Sequence, residues 1–285
     1  MIIKPLTNTP IEQIHEAFLA AFSDYEEPVM FSVQQLKHMI ERRGYEPDIS
    51  YGAFENENLV GFTLNGLGEW NGRLTAYDTG TGIQKEYRSK GIATQIFEAS
   101  LPVLKEKQID QYLLEVIQIN TSAVDLYKKL GFKISRTFDY YVASKKDFPE
   151  FKSKPGPGLT IKEIQTPDWQ FLKTFWDMIP SWQNSIYAVE RKKDCFKIFT
   201  ICDGNTIVGY GIIEPATGDI PHLAISKSCR RNGYGTALLF HLIDQLDQDP
   251  FKLINIDSTL DTFKAFTKNL NLPPGHGQFE MMLTL

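Results

Sequence analysis

Apolar residues recur with two different periods along the chain, and the order of these periods repeats once. Near the start, the strand-like "IIKPL" precedes "IEQIHEAFLAAF", whose apolar residues at Ile11, Ile14, Phe18 and Phe22 predict an amphipathic helix. From position 160 the strand-like "TIKEI" precedes "WQFLKTFWDMI", whose apolar spacing predicts a second helix over residues 169–179. The two halves therefore begin with the same elements.

Alternating patterns extend the repeat into a predicted β-hairpin in each half. "GAFENENLVGF" and "TICDGNTIVGY" alternate around turn-forming residues, and Leu59 and Ile207 occupy equivalent places 148 positions apart. Further along, "YRSKGIATQIF" and "CRRNGYGTALLF" carry equivalent arginines, Arg88 and Arg230, 142 positions apart. Offsets this similar over several elements indicate an internal duplication.

A segment rich in proline and glycine separates the halves. The stretch "FKSKPGPGLT" has the composition of a linker and lies between two strand-like segments. We therefore predict a domain over residues 1–150, a linker over 151–158 and a second domain over 159–285. In each domain the predicted elements are, in order, a strand, a helical region, antiparallel strands, the loop and its helix, and a final strand and helix. This order predicts an α/β fold with a mixed sheet and helices on both faces.

The repeated loop has the properties of an anion site. In the first half a strand ends at Ile83 and a helix begins near Gly91. The first turn of a helix presents N–H groups without intrahelical partners, and glycine lets an anion approach the backbone closely. Arg88 and Lys90 add charged donors. Neither of two other phosphate-binding motifs fits: no Walker A motif is present, and "GTGIQK" has Lys85 where a dinucleotide fingerprint needs glycine. The helix start, its glycine and the charged donors together predict a pyrophosphate site.

With its flanking strand and helix, this loop resembles the coenzyme A loop of the GNAT acetyltransferase superfamily, Q/R-x-x-G-x-G/A. The stretches "TGIQKEYRSKGIA" and "LAISKSCRRNGYG" both match it, so the resemblance covers nearly the whole chain as two tandem domains. It implies a mostly antiparallel sheet in each domain, a V-shaped split between strands 4 and 5, and acetyl-CoA as co-substrate without a metal. Carried over to the first half, the backbone of Thr81 and Ile83 would pair with pantetheine. The residues expected around the pyrophosphate are Arg88, Ser89, Lys90, Gly91, Ile92, Ala93 and Thr94. A possible second loop of this kind comprises Arg230, Arg231, Asn232, Gly233, Tyr234 and Gly235.

A second signature follows in the first half only. The stretch "LLEVIQINTSAVDLYKKLGF" resembles the segment in which Asn, Ala and Tyr follow the fifth strand, and the resemblance implies that Asn120, Ala123 and Tyr127 contact the coenzyme. It is especially similar to ribosomal-protein N-terminal acetyltransferases, in which a strand glutamate is the base and the helix tyrosine the acid. That resemblance implies Glu115 as base and Tyr127 as acid.

The chemistry of amine acylation requires such residues. An amine of pKa near ~10 must lose a proton before it attacks a thioester, and the departing thiolate must gain one. A partly buried glutamate suits the first role and a tyrosine the second. Glu26, Glu27 and Asp78 remain rival bases.

The second half lacks these two residues when it is aligned without a gap. In "LINIDSTLDTFKAFTKNLNL", Asn255 stands at the position of Glu115 and Thr267 at that of Tyr127. Phe263 replaces the small Ala123, which predicts a narrower cleft. We therefore expect catalysis in the first domain. The second would be structural, would shape the acceptor site, or would bind a coenzyme without turnover.

Composition limits the remaining classes of function. The length of 285 residues and the hydrophobic content of 42% predict two globular domains. The net charge of −5 argues against a general nucleic-acid binder. The three cysteines form no CxxC pair, the histidines lack metal-ligand spacing, and no apolar run is long enough to span a bilayer. We expect a cytoplasmic monomer or homodimer.

The expected activity is acetyl transfer to a primary amine. The tandem layout resembles GNAT proteins that act on small metabolites, which favours a small-molecule acceptor, whereas the signature around Glu115 favours a peptide N-terminus. A non-catalytic acyl-CoA sensor remains a third possibility.

Overall fold

The fold is described from a computed structural model, in which residues 1–24, 30–148 and 158–285 are described. The chain forms two compact units, one of residues 1–135 with 279–285 and one of residues 136–278. No helix among the described residues is both long and apolar enough to cross a membrane.

The first unit is a mixed sheet with four helices among its described residues. The strand order across the sheet is β1, β2, β3, β4, β5 and β12, with ranges Ile2–Pro5, Tyr51–Glu55, Asn58–Trp70, Arg73–Ile83, Gln111–Ile117 and Gln278–Thr284. The helices are α1 (Ile11–Ala21), α2 (Val33–Arg42), α3 (Ile92–Glu106) and α4 (Thr121–Lys129).

The pairing of β4 with β5 stops partway along both strands. Strands β1 to β4 pair antiparallel, whereas β4 and β5 pair parallel from Thr75 with Gln111 to Asp78 with Leu114. Beyond that pair, β4 continues to Ile83 and β5 to Ile117. The strands therefore diverge after Asp78, which is the predicted split between strands 4 and 5.

An irregularity in β4 sets the direction of the side chains at this point. Leu64 of β3 is opposite Gly80 and Asn65 is opposite Asp78, so Thr79 is an extra residue. A bulge of this kind reverses the alternation of side chains on the strand. Asp78 and Thr81 consequently lie on the same face of the sheet.

Apolar side chains fill both faces of this sheet. On one face α1 and α2 pack against β3 in a cluster that includes Phe18, Leu36 and Leu64. On the other, Leu114 packs with residues of α3 and α4, and Met281 of β12 belongs to the same cluster. The strand that completes this core therefore comes from the end of the sequence.

The second unit has the same arrangement of strands. Across the sheet the order is β6, β11, β10, β9, β8 and β7, with ranges Lys133–Ala143, Phe251–Asp257, Asp219–Ile225, Thr206–Glu214, Lys197–Asp203 and Leu159–Ile164. Its described helices are α5 (Trp169–Leu172), α6 (Ile186–Arg191), α7 (Tyr234–Ile243) and α8 (Asp261–Asn269). The parallel pair β10 and β11 is in register only at Asp219 with Lys252, so these strands diverge earlier than β4 and β5.

The predicted helix over residues 169–179 is much shorter in the structure. The α-helix ends at Leu172, a 3₁₀ turn spans Lys173–Phe175, and Trp176 adopts an extended backbone. Its indole Nε1–H donates a hydrogen bond to the Tyr210 hydroxyl. Pro180 also disfavours a helical conformation at Ile179. Tertiary contacts therefore override the apolar periodicity here.

The unit boundaries differ from those predicted at 150 and 159. Residues Phe138 to Ala143 of β6 pair with β11 and so belong to the second unit. Residues 279–285 belong to the first unit. Local sequence patterns do not encode pairing between strands so far apart in the chain. Of the predicted linker, residues 151–157 lie outside the described residues.

Candidate active site

The first-half loop has the backbone of an anion site. Gly91 precedes α3 with a left-handed φ of 74°, and Ser89 also has a positive φ, 61°. Ser89, Lys90 and Gly91 are exposed, while Ile92 is buried and anchors the start of the helix. The left-handed turn directs the first-turn N–H groups of α3, including those of Ala93 and Thr94, out of the end of the helix.

The side chain of Arg88, in contrast, is bound to the protein. Its guanidinium donates two hydrogen bonds to Asp24, at 2.7 and 2.8 Å, and one to the Ala21 carbonyl at 2.7 Å. Its Nε–H donates to the Ile83 carbonyl at 3.0 Å. Arg88 therefore holds the loop to α1 and to the end of β4, a role that the sequence did not reveal.

The second-half loop reproduces this geometry. Gly233 precedes α7 with φ of 80°, and Arg231 takes the place of Ser89 with φ of 63°. Arg230 Nε–H donates to the Ile225 carbonyl at 3.1 Å, and its Nη2 lies 2.7 Å from an Asp177 carboxylate oxygen. Both loops therefore have the backbone and the arginine–aspartate pair in common.

A cluster of polar side chains lies where β4 and β5 diverge, on the face covered by α3 and α4. The Tyr127 hydroxyl donates to Asp78 Oδ2 at 2.9 Å, and the Thr81 hydroxyl donates to the same oxygen at 2.8 Å. The hydroxyl oxygen of Thr63 lies 2.9 Å from that of Thr81. The predicted acid therefore contacts Asp78, one of the predicted rival bases.

Burial alters the acidity of this pair. Desolvation raises the pKa of Asp78 to about 6, although the hydrogen bonds from Thr81 and Tyr127 oppose the shift. The pKa of Tyr127 is raised well above its ordinary value, first by desolvation and then by the charge of Asp78. A carboxyl group with such a pKa exchanges protons near neutral pH.

Glu115 lies on the other face of the same sheet. Its Oε2 accepts a hydrogen bond from the Tyr77 hydroxyl at 3.1 Å. Because Tyr77 and Asp78 are consecutive on a strand, their side chains point to opposite faces. Burial and the nearby Glu115 raise the pKa of Tyr77 well above its ordinary value. The two carboxylates thus lie on opposite faces at the point of divergence.

Asn120 and Ala123 have a structural part in this arrangement. The Asn120 side chain accepts the Ala123 backbone N–H at 3.2 Å and caps α4, the helix that carries Tyr127. At the equivalent position of the second unit, the Leu260 side chain cannot provide this cap.

The second unit lacks the acid and base at the equivalent positions. Asn255 is buried, and its amide donates to Ser181 Oγ at 3.0 Å. The Thr267 hydroxyl donates to the Lys264 carbonyl of its own helix at 3.1 Å. Neither side chain corresponds chemically to the residue it replaces.

The cavities reverse the expectation that Phe263 narrows the second cleft. Around Tyr127 the first unit leaves a space of only about 10 Å³. The second unit has a cleft of about 630 Å³ between β10, β11 and α8, with Phe263 in its wall. Tyr127, Phe97 and Tyr112 fill the first cleft.

The sequence does not predict that Asp24 and Tyr77 hold site residues from other elements. Asp24 is 64 positions from Arg88, and Tyr77 is 38 from Glu115, so neither pair has a local signal. The rival bases Glu26 and Glu27 lie outside the described residues.

Comparison with known proteins shows the family to which the chain belongs. The sequence model of the Acetyltransferase (GNAT) family matches residues 11–132 and 159–266. The chain is 34% identical over 98 residues to N-alpha-acetyltransferase 30 of Schizosaccharomyces pombe, covering 34% of this chain and 65% of that protein. It is 30% identical over 131 residues to mycothiol acetyltransferase of Thermobispora bispora, covering 41% of this chain and 42% of that protein. These alignments thus span less than two thirds of each relative.

A solved structure, a tandem GNAT protein from the clavulanic acid biosynthesis pathway, superposes on 99% of this chain and 98% of its own, with a TM-score of 0.72 and 10% identity. At that identity the likeness concerns the fold. Since the family model covers most of both halves, the chain belongs to the GNAT acetyltransferase family as a tandem, two-domain member.

Proposed function

We propose that this protein transfers the acetyl group of acetyl-CoA to a primary amine, with the reaction in its first unit. The observation that carries the proposal is the placement of Glu115 and the Asp78–Tyr127 pair on opposite faces of the sheet, where β4 and β5 separate. A thioester held in the gap between these strands would have a base on one side and an acid on the other.

Each side chain would move one proton. Glu115 accepts the proton of the attacking ammonium group, directly or through water, and the amine nitrogen then forms the new bond to the acyl carbon. As the carbon–sulfur bond breaks, the Tyr127 hydroxyl gives its proton to the sulfur. The amine nitrogen loses its second proton to solvent as the amide forms, and Asp78, whose pKa is about 6, takes a proton from solvent and passes it to Tyr127 through the hydrogen bond that the two share.

The residues of the first unit suit the coenzyme. The first turn of α3, from Gly91 to Thr94, would hold the pyrophosphate, and Lys90 is exposed beside it. The edge of β4 beyond Asp78, including Thr81 and Ile83, would pair with pantetheine amides. Because the cleft measures only about 10 Å³, binding must displace apolar side chains of its wall such as Phe97.

A small-molecule amine is our first candidate for the acceptor. The match to mycothiol acetyltransferase and the tandem fold support it. Similarity to N-alpha-acetyltransferase 30 favours a second candidate, the N-terminal amine of a peptide. We also propose a cytoplasmic location, which the three free cysteines support.

An acceptor screen tests the proposal. Purified protein is incubated with acetyl-CoA and either pooled small amines or pooled peptides, and free coenzyme A thiol is measured. We expect thiol release that depends on the acceptor and is lost in Tyr127→Phe. Binding of acetyl-CoA without acceptor-dependent release from either pool would indicate a sensor and overturn the proposal.

A further inference from the structure

The second unit contains a cavity that the alignment of its sequence with the first half does not predict. A cleft of about 630 Å³ lies between β10, β11 and α8, and this volume is typical of sites for small organic ligands. It extends from the loop residues Arg230 and Gly233 to Ile220 and Leu253, next to the Asp219–Lys252 pair at which the strands meet.

Substitutions at equivalent positions explain why this cleft is open. Tyr127, which fills the first cleft, is replaced by Thr267, whose hydroxyl is bonded within its own helix. Asp78 is replaced by Ile220, which has no group with which to bridge the strands. The second unit therefore lacks the polar cluster that closes the first.

Charge and apolar surface are separated along the cavity. Arg231 lies at the loop end beside Arg230, which is paired with Asp177 of the same wall, and a Cβ placed on Gly233 there would meet no atom within 4 Å. The rest of the wall is largely apolar, and its members include Phe175, Met178, Ile220, Leu223, Ile225, Leu253, Ile256, Leu260, Phe263 and Phe266. Such a cavity suits a ligand with an anionic head and a long apolar portion.

Three polar side chains of the wall, Trp176, Tyr210 and His222, are bonded to one another. The Tyr210 hydroxyl lies 2.7 Å from His222 Nδ1 and accepts the Trp176 indole N–H, while His222 Nε2 is 2.6 Å from the Asn184 carbonyl. Because a carbonyl only accepts, Nε2 carries the proton and Nδ1 accepts from Tyr210. This network is satisfied within the protein, which favours a binding site over a second reaction centre.

We propose that the second unit binds a coenzyme A thioester whose acyl chain is longer than acetyl, without transferring it. The loop would hold the phosphates, and the edge of β10 beyond Asp219 would pair with the amides. The acyl chain would occupy the apolar part of the cavity. Each methylene fully buried there would strengthen binding about fourfold. This inference goes beyond the acetyl transfer proposed for the first unit.

Calorimetric titration of two matched variants tests it. Gly91→Glu blocks the first loop and leaves the second, and Gly233→Glu does the reverse; both must melt like the wild type. We expect Gly91→Glu to bind octanoyl-CoA at least about tenfold more tightly than acetyl-CoA. Gly233→Glu should lose that preference. Equal affinities in Gly91→Glu, or no binding, would overturn the proposal.

Two further titrations separate the parts of the ligand. Octanoate alone should bind Gly91→Glu far more weakly than octanoyl-CoA, and equal binding would contradict a role for the coenzyme. Leu253→Trp fills the deep end of the cavity and should remove the preference for octanoyl-CoA, whereas Leu253→Ile should keep it. These are binding measurements, so a failure of acetyl transfer in the acceptor screen would leave their outcome unaffected.

Discussion

Tyr127 and Asp78 form the contact on which the proposed chemistry most depends. Tyr127→Phe removes the hydroxyl and keeps the ring that packs against Phe132. We expect kcat to fall by about ten- to a thousand-fold, the range of general acid catalysis, with acetyl-CoA affinity within a few-fold of wild type. Tyr112→Phe is the matched control, because its hydroxyl binds Asn65 instead. Unchanged kcat in Tyr127→Phe would exclude the acid role.

Replacement of Asp78 by asparagine should raise the stability of the protein and lower its activity. Its folded pKa, about 6, lies above the unfolded value of 3.8, so the protonated form favours folding below the unfolded pKa. That contribution is lost as pH rises through 6. Asp78→Asn should therefore stabilise the protein at pH 8, by on the order of 1–3 kcal/mol, and the gain should shrink towards pH 5.

Denaturant melts at the two pH values, with kcat measured in parallel, check this prediction. An asparagine still accepts from Thr81 and Tyr127 but cannot return a proton, so kcat should fall by about tenfold or more. A loss of stability at pH 8 would mean that the charge of Asp78 is compensated within the fold.

Glu115 is tested by the pH dependence of its variant. Glu115→Gln should lower kcat/KM most at low pH, where the amine is protonated, and the defect should shrink as pH approaches the pKa of the acceptor. A defect of constant size across pH would assign Glu115 to positioning, through its bond with Tyr77.

At the level of elements, an arginine–aspartate pair fixes each loop. The aspartates come from different positions after the first helix of each half, yet both reach the arginine that precedes the glycine. Because Asp24 and Arg88 are partly exposed, we expect the pair to affect loop geometry more than stability.

Breaking this pair should weaken coenzyme binding. Asp24→Asn should raise KM for acetyl-CoA several-fold with little change in kcat, since the loop loses its link to α1. Steady-state kinetics over a range of acetyl-CoA concentrations measures this. Asp177→Asn is the matched control in the second unit and should leave both constants unchanged. A fall in kcat alone for Asp24→Asn would contradict the positioning role.

Sequence patterns predicted most elements because their signals are local. The strand ending at Ile83, the helix after Gly91 and the capped helix of Tyr127 depend on neighbouring residues. The contacts of Asp24, Tyr77 and Asp78 join segments far apart in the chain, so they follow from the sheet register and the bulge at Thr79. The size of Phe263 alone predicts a narrow second cleft, whereas the loss of the tyrosine across the cleft has the larger effect.

For the whole molecule, the strand β12 joins residues 278–284 to the core of the first unit. Met281 is fully buried among residues of the first unit, including Leu114 and Phe132. Removal of residues 279–285 should therefore destabilise the first unit while the second retains its core. Hydrogen exchange resolved by peptide would detect this as lost protection in β4 and β5 with protection kept in β9 and β10. Equal loss in both units would contradict it.

This placement of β12 also affects the order of events during synthesis. Domains usually fold as they emerge from the ribosome, the N-terminal one first. Here β5 lacks its neighbour β12 until residues 278–284 have been translated, by which time most of the second unit is already outside the ribosome. The nascent first unit thus carries an unpaired strand edge, a site of aggregation in other proteins. Fast completion of the chain, or a chaperone on that edge, would limit the exposure.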